Sequence, residues 1–127
     1  MSSIGKEIRL AIVGSTLLAG NTQAQEIIEA VLDEFKPDLV VSGGADGIDT
    51  MAANEARWRG IPVREFKPTI RRWEGKGGFK ERNEEIADLC THLVRIVSSK
   101  TKTYGSGYTR DRAKAQGKPT RDYVVKQ

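Results

Sequence analysis

Two adjacent glycines separate an apolar run from a stretch with helical pattern in Val41-Ser42-Gly43-Gly44-Ala45-Asp46-Gly47-Ile48-Asp49. Bare backbone at such a turn lets a ligand approach closely and aims amide N–H groups at an anion. Phosphate or ribose suits it. Asp46 and Asp49, at the start of the helix that follows, either cap that helix or accept hydrogen bonds from ribose hydroxyls. The competing reading is a tight turn that needs glycine only for its dihedral angles. A second cradle is Tyr104-Gly105-Ser106-Gly107-Tyr108-Thr109, read as a glycine-rich loop entering a helix, with the Ser106 and Thr109 hydroxyls beside backbone amides as phosphate donors.

Charge and aromatic candidates lie between these glycine segments. Arg82, next to Asn83 near a predicted helix N-terminus, offers a planar fork of donors suited to phosphate. It is equally placed to pair with Glu81 or Glu85 on its own helix. Trp73 stands in a polar, glycine-rich segment with Arg71, Arg72 and Lys76. Either it stacks on a base, with those cations supplying charge, or it plugs the space between loop and sheet. Trp58, between Arg57 and Arg59, is read as packing or an oligomer contact. Cys90 and His92 make a nucleophile pair only on paper, with ordinary packing the better account.

These groups need a scaffold, and the apolar bursts supply one. Ile8–Val13, Leu39–Ser42, Ile61–Phe66, His92–Val97 and a last segment through Asp122–Val125 read as short buried strands. Between them the helical pattern predicts four helices. The first carries a capping box at Thr22-Gln23-Ala24-Gln25, then Ile27, Ile28, Val31, Leu32 and Phe35 on one face, and stops before Pro37. The second runs to Arg59 with Gly60 as its cap, the third spans Lys80–Cys90, and the fourth runs from about Tyr108 to Gln116, capped by Gly117. Alternation of this kind implies a Rossmann-like α/β fold, a three-layer α/β/α sandwich around a mainly parallel sheet of about five strands. Ligands of such sheets collect beyond the carboxyl ends of the strands. The segments after the first four strands converge there, among them Gly14-Ser15-Thr16, Ser42–Asp49, Pro68–Asn83 and Thr103–Thr109. One domain over residues 1–127 is expected, with no internal repeat.

Composition narrows the function classes. No apolar run reaches the ~18 residues of a membrane span, and the Met1–Glu7 start lacks a signal-peptide core, so a cytoplasmic protein without membrane contact is expected. One cysteine and one histidine cannot build the usual four-ligand zinc site, and neither metal nor cofactor is expected. Gly14-Ser15-Thr16-Leu17 lacks the dinucleotide fingerprint and no Walker A lysine motif is present. The formal charge of +4 is uneven, with 9 Lys/Arg against 2 Asp/Glu in residues 95–127 and 12 against 15 in residues 1–94. A positive field of that kind either favours anionic ligands, a phosphate-bearing molecule or nucleic acid, or is a solvated basic surface.

At Ser42–Asp49 the pattern Ser-Gly-Gly-Ala-x-Gly-Ile-Asp resembles the SLOG superfamily, which includes DprA, the "lonely guy" phosphoribohydrolases and small YspA/YpsA-like proteins. The last branch is the best match, through Gly43 to Asp49, Trp73, Gly75-Lys76 and Arg82-Asn83 in order. The resemblance covers about residues 8–125 and implies a Rossmann-like domain that binds a nucleotide or nucleotide-derived signal. By position it makes Gly14-Ser15 a first phosphate-side turn, beside the Gly43-Gly44 turn and Arg82-Asn83. It also implies a homo-oligomer formed through the helices flanking the glycine turn. The chain departs from the phosphoribohydrolases where they place a glutamate three residues after the threonine, because Arg112 stands there instead. Asp111 is one residue short and lies about 100° away around a helix. Glycosidic hydrolysis would need another carboxylate, with Asp46, Asp49 and Glu84 as candidates, so turnover is left open. Three functions follow: a sensor or sequestering protein, a nucleotide N-glycosidase, and a DprA-like nucleic-acid module using Trp73, Tyr104 and Tyr108.

Overall fold

A computed structural model describes residues 6–100 and 104–127, with the Tyr104 side chain excepted. The readings of the first five residues, of Thr101–Thr103 and of the Tyr104 ring as a stacking group lie outside the described residues. The elements are β1 (Arg9–Gly14), a short 3-10 turn (Thr16–Leu18), α1 (Thr22–Phe35), β2 (Leu39–Ser42), α2 (Ile48–Trp58), β3 (Val63–Glu65), α3 (Phe79–Leu89), β4 (His92–Ser98), α4 (Tyr104–Ala115) and β5 (Thr120–Val125).

All five strands are parallel, in the order β3-β2-β1-β4-β5, as expected of a Rossmann-like fold. Period-two alternation splits the central strands between two layers. Leu10, Ile12, Val40, Val94 and Ile96 pack under Ile28, Val31 and Leu32 of α1 and Ile48, Ala52 and Ala56 of α2. On the opposite face Ala11, Val13, Val41 and Leu93 meet Ile86 and Ala87 of α3 and Ala113 of α4. Small residues on α3 and α4 let those helices approach closely. Cys90 and His92 have packing roles, the thiol donating to the Ala87 carbonyl and the imidazole set edge-on to Phe35.

Two helix starts differ from expectation. Asn21, not Thr22, caps α1: its backbone is extended and its Oδ1 accepts the Ala24 N–H at 2.9 Å. The short amide carbonyl reaches the first-turn amides from there, and Thr22 becomes the first helical residue. Asn21→Ala is therefore expected to cost about 1 kcal/mol in urea denaturation, while Thr22→Ala costs less. The second difference matters more for the site. Helix α4 begins at Tyr104, so Gly105-Ser106-Gly107 is helical and not a loop. A Cβ at Gly105 would lie 3.2 Å from Asn83 Nδ2 and 4.0 Å from the Trp73 ring, so close packing accounts for the glycine.

Candidate functional site

The strand order reverses between β1 and β4, both hydrogen-bonded partners in the sheet's centre. Crevices in open parallel sheets form at such a reversal, outside the carboxyl ends. Gly14 ends β1 there, so close to β4 that a Cβ would lie 1.9 Å from the Ile96 carbonyl oxygen. The next amide, Ser15 N–H, donates to that same oxygen at 3.0 Å. The Ser15 hydroxyl is buried and accepts the Leu17 N–H, capping the 3-10 turn.

The turn after β2 is built around a carboxylate of its own. Asp49, the second residue of α2, is only 5% exposed and lies back under the turn. Its carboxylate accepts the Ala45 N–H at 3.4 Å, lies near the Gly43 and Gly14 amides and faces the Arg82 guanidinium. Burial pushes the Asp49 carboxyl up to about 6, against the opposing pull of Arg82 and of those amides. The glycine-turn amides thus do meet an anion, and it belongs to the chain. Ser42 completes the turn from inside, accepting the Gly44 N–H and donating to the Asp49 carbonyl. Gly47 has φ +79°, and a Cβ there would lie 2.4 Å from the Ser15 carbonyl oxygen, so the α2 start also docks on the end of β1.

Arg82 reaches the turn from α3. Its Nη1 donates to the Gly43 carbonyl at 2.6 Å and its Nε to Asn83 Oδ1 at 2.7 Å, so it pairs with neither Glu81 nor Glu85. A Cβ on Gly43 would lie 2.7 Å from Arg82 Nη1 and 2.8 Å from Asp49 Oδ2. Gly43 is the place where backbone, acid and base converge. Burial draws the Arg82 guanidinium below its ordinary value while Asp49 holds it up.

Two cavities open on this cluster. The inner one, about 170 Å³, lies over the β1/β4 reversal and is lined by Val13, Gly14, Thr16, Ala45, Asp49, Arg82, Asn83, Gly105, Ser106 and Thr109. The outer one, about 390 Å³, is lined by Thr16, Gly43, Gly44, Ala45, Asp46, Pro68, Arg71, Phe79 and Arg82. Arg82, Ala45 and Thr16 belong to both. Asn83 is buried, with Nδ2 directed at the Gly105 carbonyl at 3.4 Å, and the buried Thr109 hydroxyl donates to the same carbonyl at 2.8 Å. Ser106 receives Arg95 Nε at 3.0 Å.

Most of the expected site residues are brought together here, and some are not. Ser15, Ser42 and Gly47 shape the turns from behind the cavity walls. Trp73 is half-buried against Tyr108, ring centroids 5.2 Å apart and edge-on, so the plug reading describes it better than an open stacking platform. Lys76 is exposed and Gly107 faces Arg95, and neither lines either of these two cavities. Among the carboxylate candidates, Asp49 lines the inner cavity, Asp46 the outer, and Glu84 accepts the Tyr108 hydroxyl at 2.6 Å away from both. Arg112 forms a bidentate pair with Asp88 of α3 and holds the two helices together. Thr16, Pro68 and Phe79, which fall in segments expected to converge beyond the strand ends, and Val13, which closes the first expected strand, also line the cavities. The usable signal was their position, since each lies within a few residues of a strand end or at the first position of α3.

The arginines of the basic final third are ion-paired within the fold. Arg121 is bidentate to Glu34, Arg112 to Asp88, and Arg95 and Arg110 share Asp122. Lys118 donates to the Ala87 and Asp88 carbonyls at the end of α3. Only Glu34 and Asp88 among these acids come from outside residues 95–127, so most of that stretch's positive excess remains. Among the described residues no group of three His, Cys, Asp or Glu side chains comes together to hold a metal, and no helix is long and apolar enough to cross a membrane.

No family model matches this chain, and no curated protein matches it. Among solved structures it is similar to DNA processing protein A (DprA) from Streptococcus pneumoniae, with a TM-score of 0.70 and 22% identity. The likeness covers 91% of this chain and 50% of that one, so the chain spans about half the length of that neighbour. What the two share at this identity is the fold.

Proposed function

We propose that the chain is an SLOG-type module of the small YspA/YpsA-like branch that binds a nucleotide or nucleotide-derived ligand, as a sensor or sequestering protein. The observation that carries this reading is the pair of adjoining cavities at the sheet reversal with Arg82 common to both. A small polar compartment beside a larger one with an aromatic ring and a second arginine suits a ligand with sugar, phosphate and base parts. Binding needs no metal or cofactor in this reading. A homo-oligomer is part of the proposal, supported by Trp58, 86% exposed as the last residue of α2, the helix that follows the glycine turn. That exposure removes the packing reading for Trp58.

A thermal-shift screen against AMP, ADP, ATP, NAD, ADP-ribose and cyclic nucleotides tests it, with chromatography of each mixture. The expected result is stabilisation by an intact nucleotide, worth about 2.7 kcal/mol at a hundredfold excess over Kd. Absence of any shift counts against the reading, and released base would make the protein an N-glycosidase with Asp49 or Asp46 as its carboxylate.

A second reading, a nucleic-acid module, is favoured by the neighbour's being a DNA processing protein and by the exposed Arg71, Arg72 and Lys67 beside the outer cavity. It requires affinity for single-stranded DNA that falls steeply with salt, and a flat salt response excludes it.

A further inference from the structure

We infer that ligand capture at this site is coupled to proton uptake: when an anionic ligand enters the crevice, the Asp49 carboxylate takes a proton from solvent and gives up its charge. Binding then weakens as the medium becomes alkaline. This rests on the nucleotide-binding reading above and adds its regulation by pH.

The charges of the inner cavity carry the inference. Asp49 is the only acid that lines it and Arg82 the only base. Several features draw an anion there. Arg82 Nη2 bonds no described residue, the exposed Thr16 contributes its hydroxyl, and the amino end of α4 borders the space at Gly105 and Ser106. Asp49 opposes the same anion. It is only 5% exposed, so little water screens it, and its one cationic partner, Arg82, is also the group a ligand phosphate would engage. A phosphate and an ionised Asp49 would leave two negative groups around one guanidinium in a buried space. One proton on the carboxylate removes that repulsion, and it reaches Asp49 through the cavity that Asp49 borders. Burial already pushes this carboxyl up to about 6, which brings the neutral form within range near pH 7.

The surrounding charges leave Asp49 as the group that responds. Arg82 faces it from α3. On the same turn Asp46 lies open to water at the outer cavity, with Arg71 and the Lys67 stem over Gly44 from the segment before α3. Along α2 the next charged residue is Glu55, bonded to Arg59 and Gln25. From β4, Arg95 bonds Ser106 and Asp122. The end of β1, the 3-10 turn and the start of α4 bring only glycines and hydroxyls to the inner cavity beside Val13. The single histidine, His92, begins β4 at the opposite end of the sheet.

Isothermal titration of the full chain with cyclic AMP, NAD and ADP-ribose tests this, because their phosphate bridges keep a constant charge around neutrality. At pH 7, buffers of different ionisation enthalpy read the protons exchanged on binding, and uptake of more than about half a proton per ligand is expected. Kd should weaken roughly tenfold between pH 6 and 8, since repulsion between unit charges about 6 Å apart at an effective dielectric near 20 is equivalent to about 100-fold in affinity. Asp49→Asn should lose both effects, and His92→Gln should keep them. For AMP, whose own phosphate titrates at about 6, the excess over Asp49→Asn is the reading. Binding with no proton exchange, or with release of protons, overturns the coupling and leaves nucleotide binding intact. So does uptake that persists in Asp49→Asn. No binding by any of the four ligands removes both readings. If Asp49→Asn does not fold, the buffer series on the unaltered chain and on His92→Gln decides.

Discussion

Gly14→Ala is expected to lose about 3 kcal/mol or more of folding free energy, enough to unfold a marginal domain at moderate temperature. The added methyl would lie 1.9 Å from the Ile96 carbonyl oxygen and 2.9 Å from Ile48 Cγ1. Gly14 pairs with Ile96 in the β1–β4 register, so relief requires the two central strands to part where Ser15 N–H is bonded to the same oxygen. A useful contrast is Gly20→Ala, at φ +74° with nothing within 4 Å of the new Cβ. That change carries only the left-handed backbone penalty of about 1–2 kcal/mol. Urea denaturation of both variants is the measurement. Equal losses would mean that the end of β1 yields to a methyl group and that the crevice is softer than its geometry indicates.

The second large effect is a pH dependence centred on Asp49. Its carboxyl is raised to about 6 in the folded chain, from an ordinary value of 3.8. The folded state therefore holds this proton more tightly than the unfolded state does. Stability from this group is full below the unfolded value and is lost as pH rises through about 6. Each unit inside that window is worth ~1.4 kcal/mol, so acidification from pH 7.5 to 5 should stabilise the protein by roughly 1 kcal/mol from Asp49. Glu34, hydrogen-bonded by Arg121, and Asp88, hydrogen-bonded by Arg112, are both held below their ordinary values. They act with opposite sign and at lower pH. Chemical denaturation of the unaltered chain and Asp49→Asn at the two pH values isolates the effect. The variant should lack the gain on acidification, and parallel profiles would show that Asp49 does not titrate in this window.

The element order was readable because each strand is a short apolar burst with turn residues on either side, and a buried parallel strand needs little else. Helix starts were less readable. Asn21 and Thr22 are both good caps, and which one is used depends on where the preceding 3-10 turn delivers the chain. Glycines at 105 and 107 look like a loop locally, yet Asn83 and Trp73 press on Gly105 from elsewhere in the chain and favour a small residue there. That the glycine turn and Arg82 belong together was legible from residue type and spacing, with Asn83 added by the resemblance, and the three do converge on the two cavities. Asp49 as the turn's own anion was not, because the amides of Gly14 and Gly43 come together only when β1 and β2 pair. Charge pairing was least legible in the final third: Arg121 finds Glu34 across 87 positions of sequence, a partnership no local window contains.

Arg82 has little freedom. Its Nε is tied to Asn83, its Nη1 to the Gly43 carbonyl, and its plane lies 5.6 Å from the Phe79 ring centroid. A long cationic side chain ordinarily surrenders much of its rotational entropy when it first grips a ligand. Here that ordering accompanies folding, since the bonds that fix the guanidinium are internal. Encounter should then resemble a key meeting a finished lock: rapid fitting, little rearrangement of the turn, and an affinity governed by what the guest brings and not by what the host must reorganise.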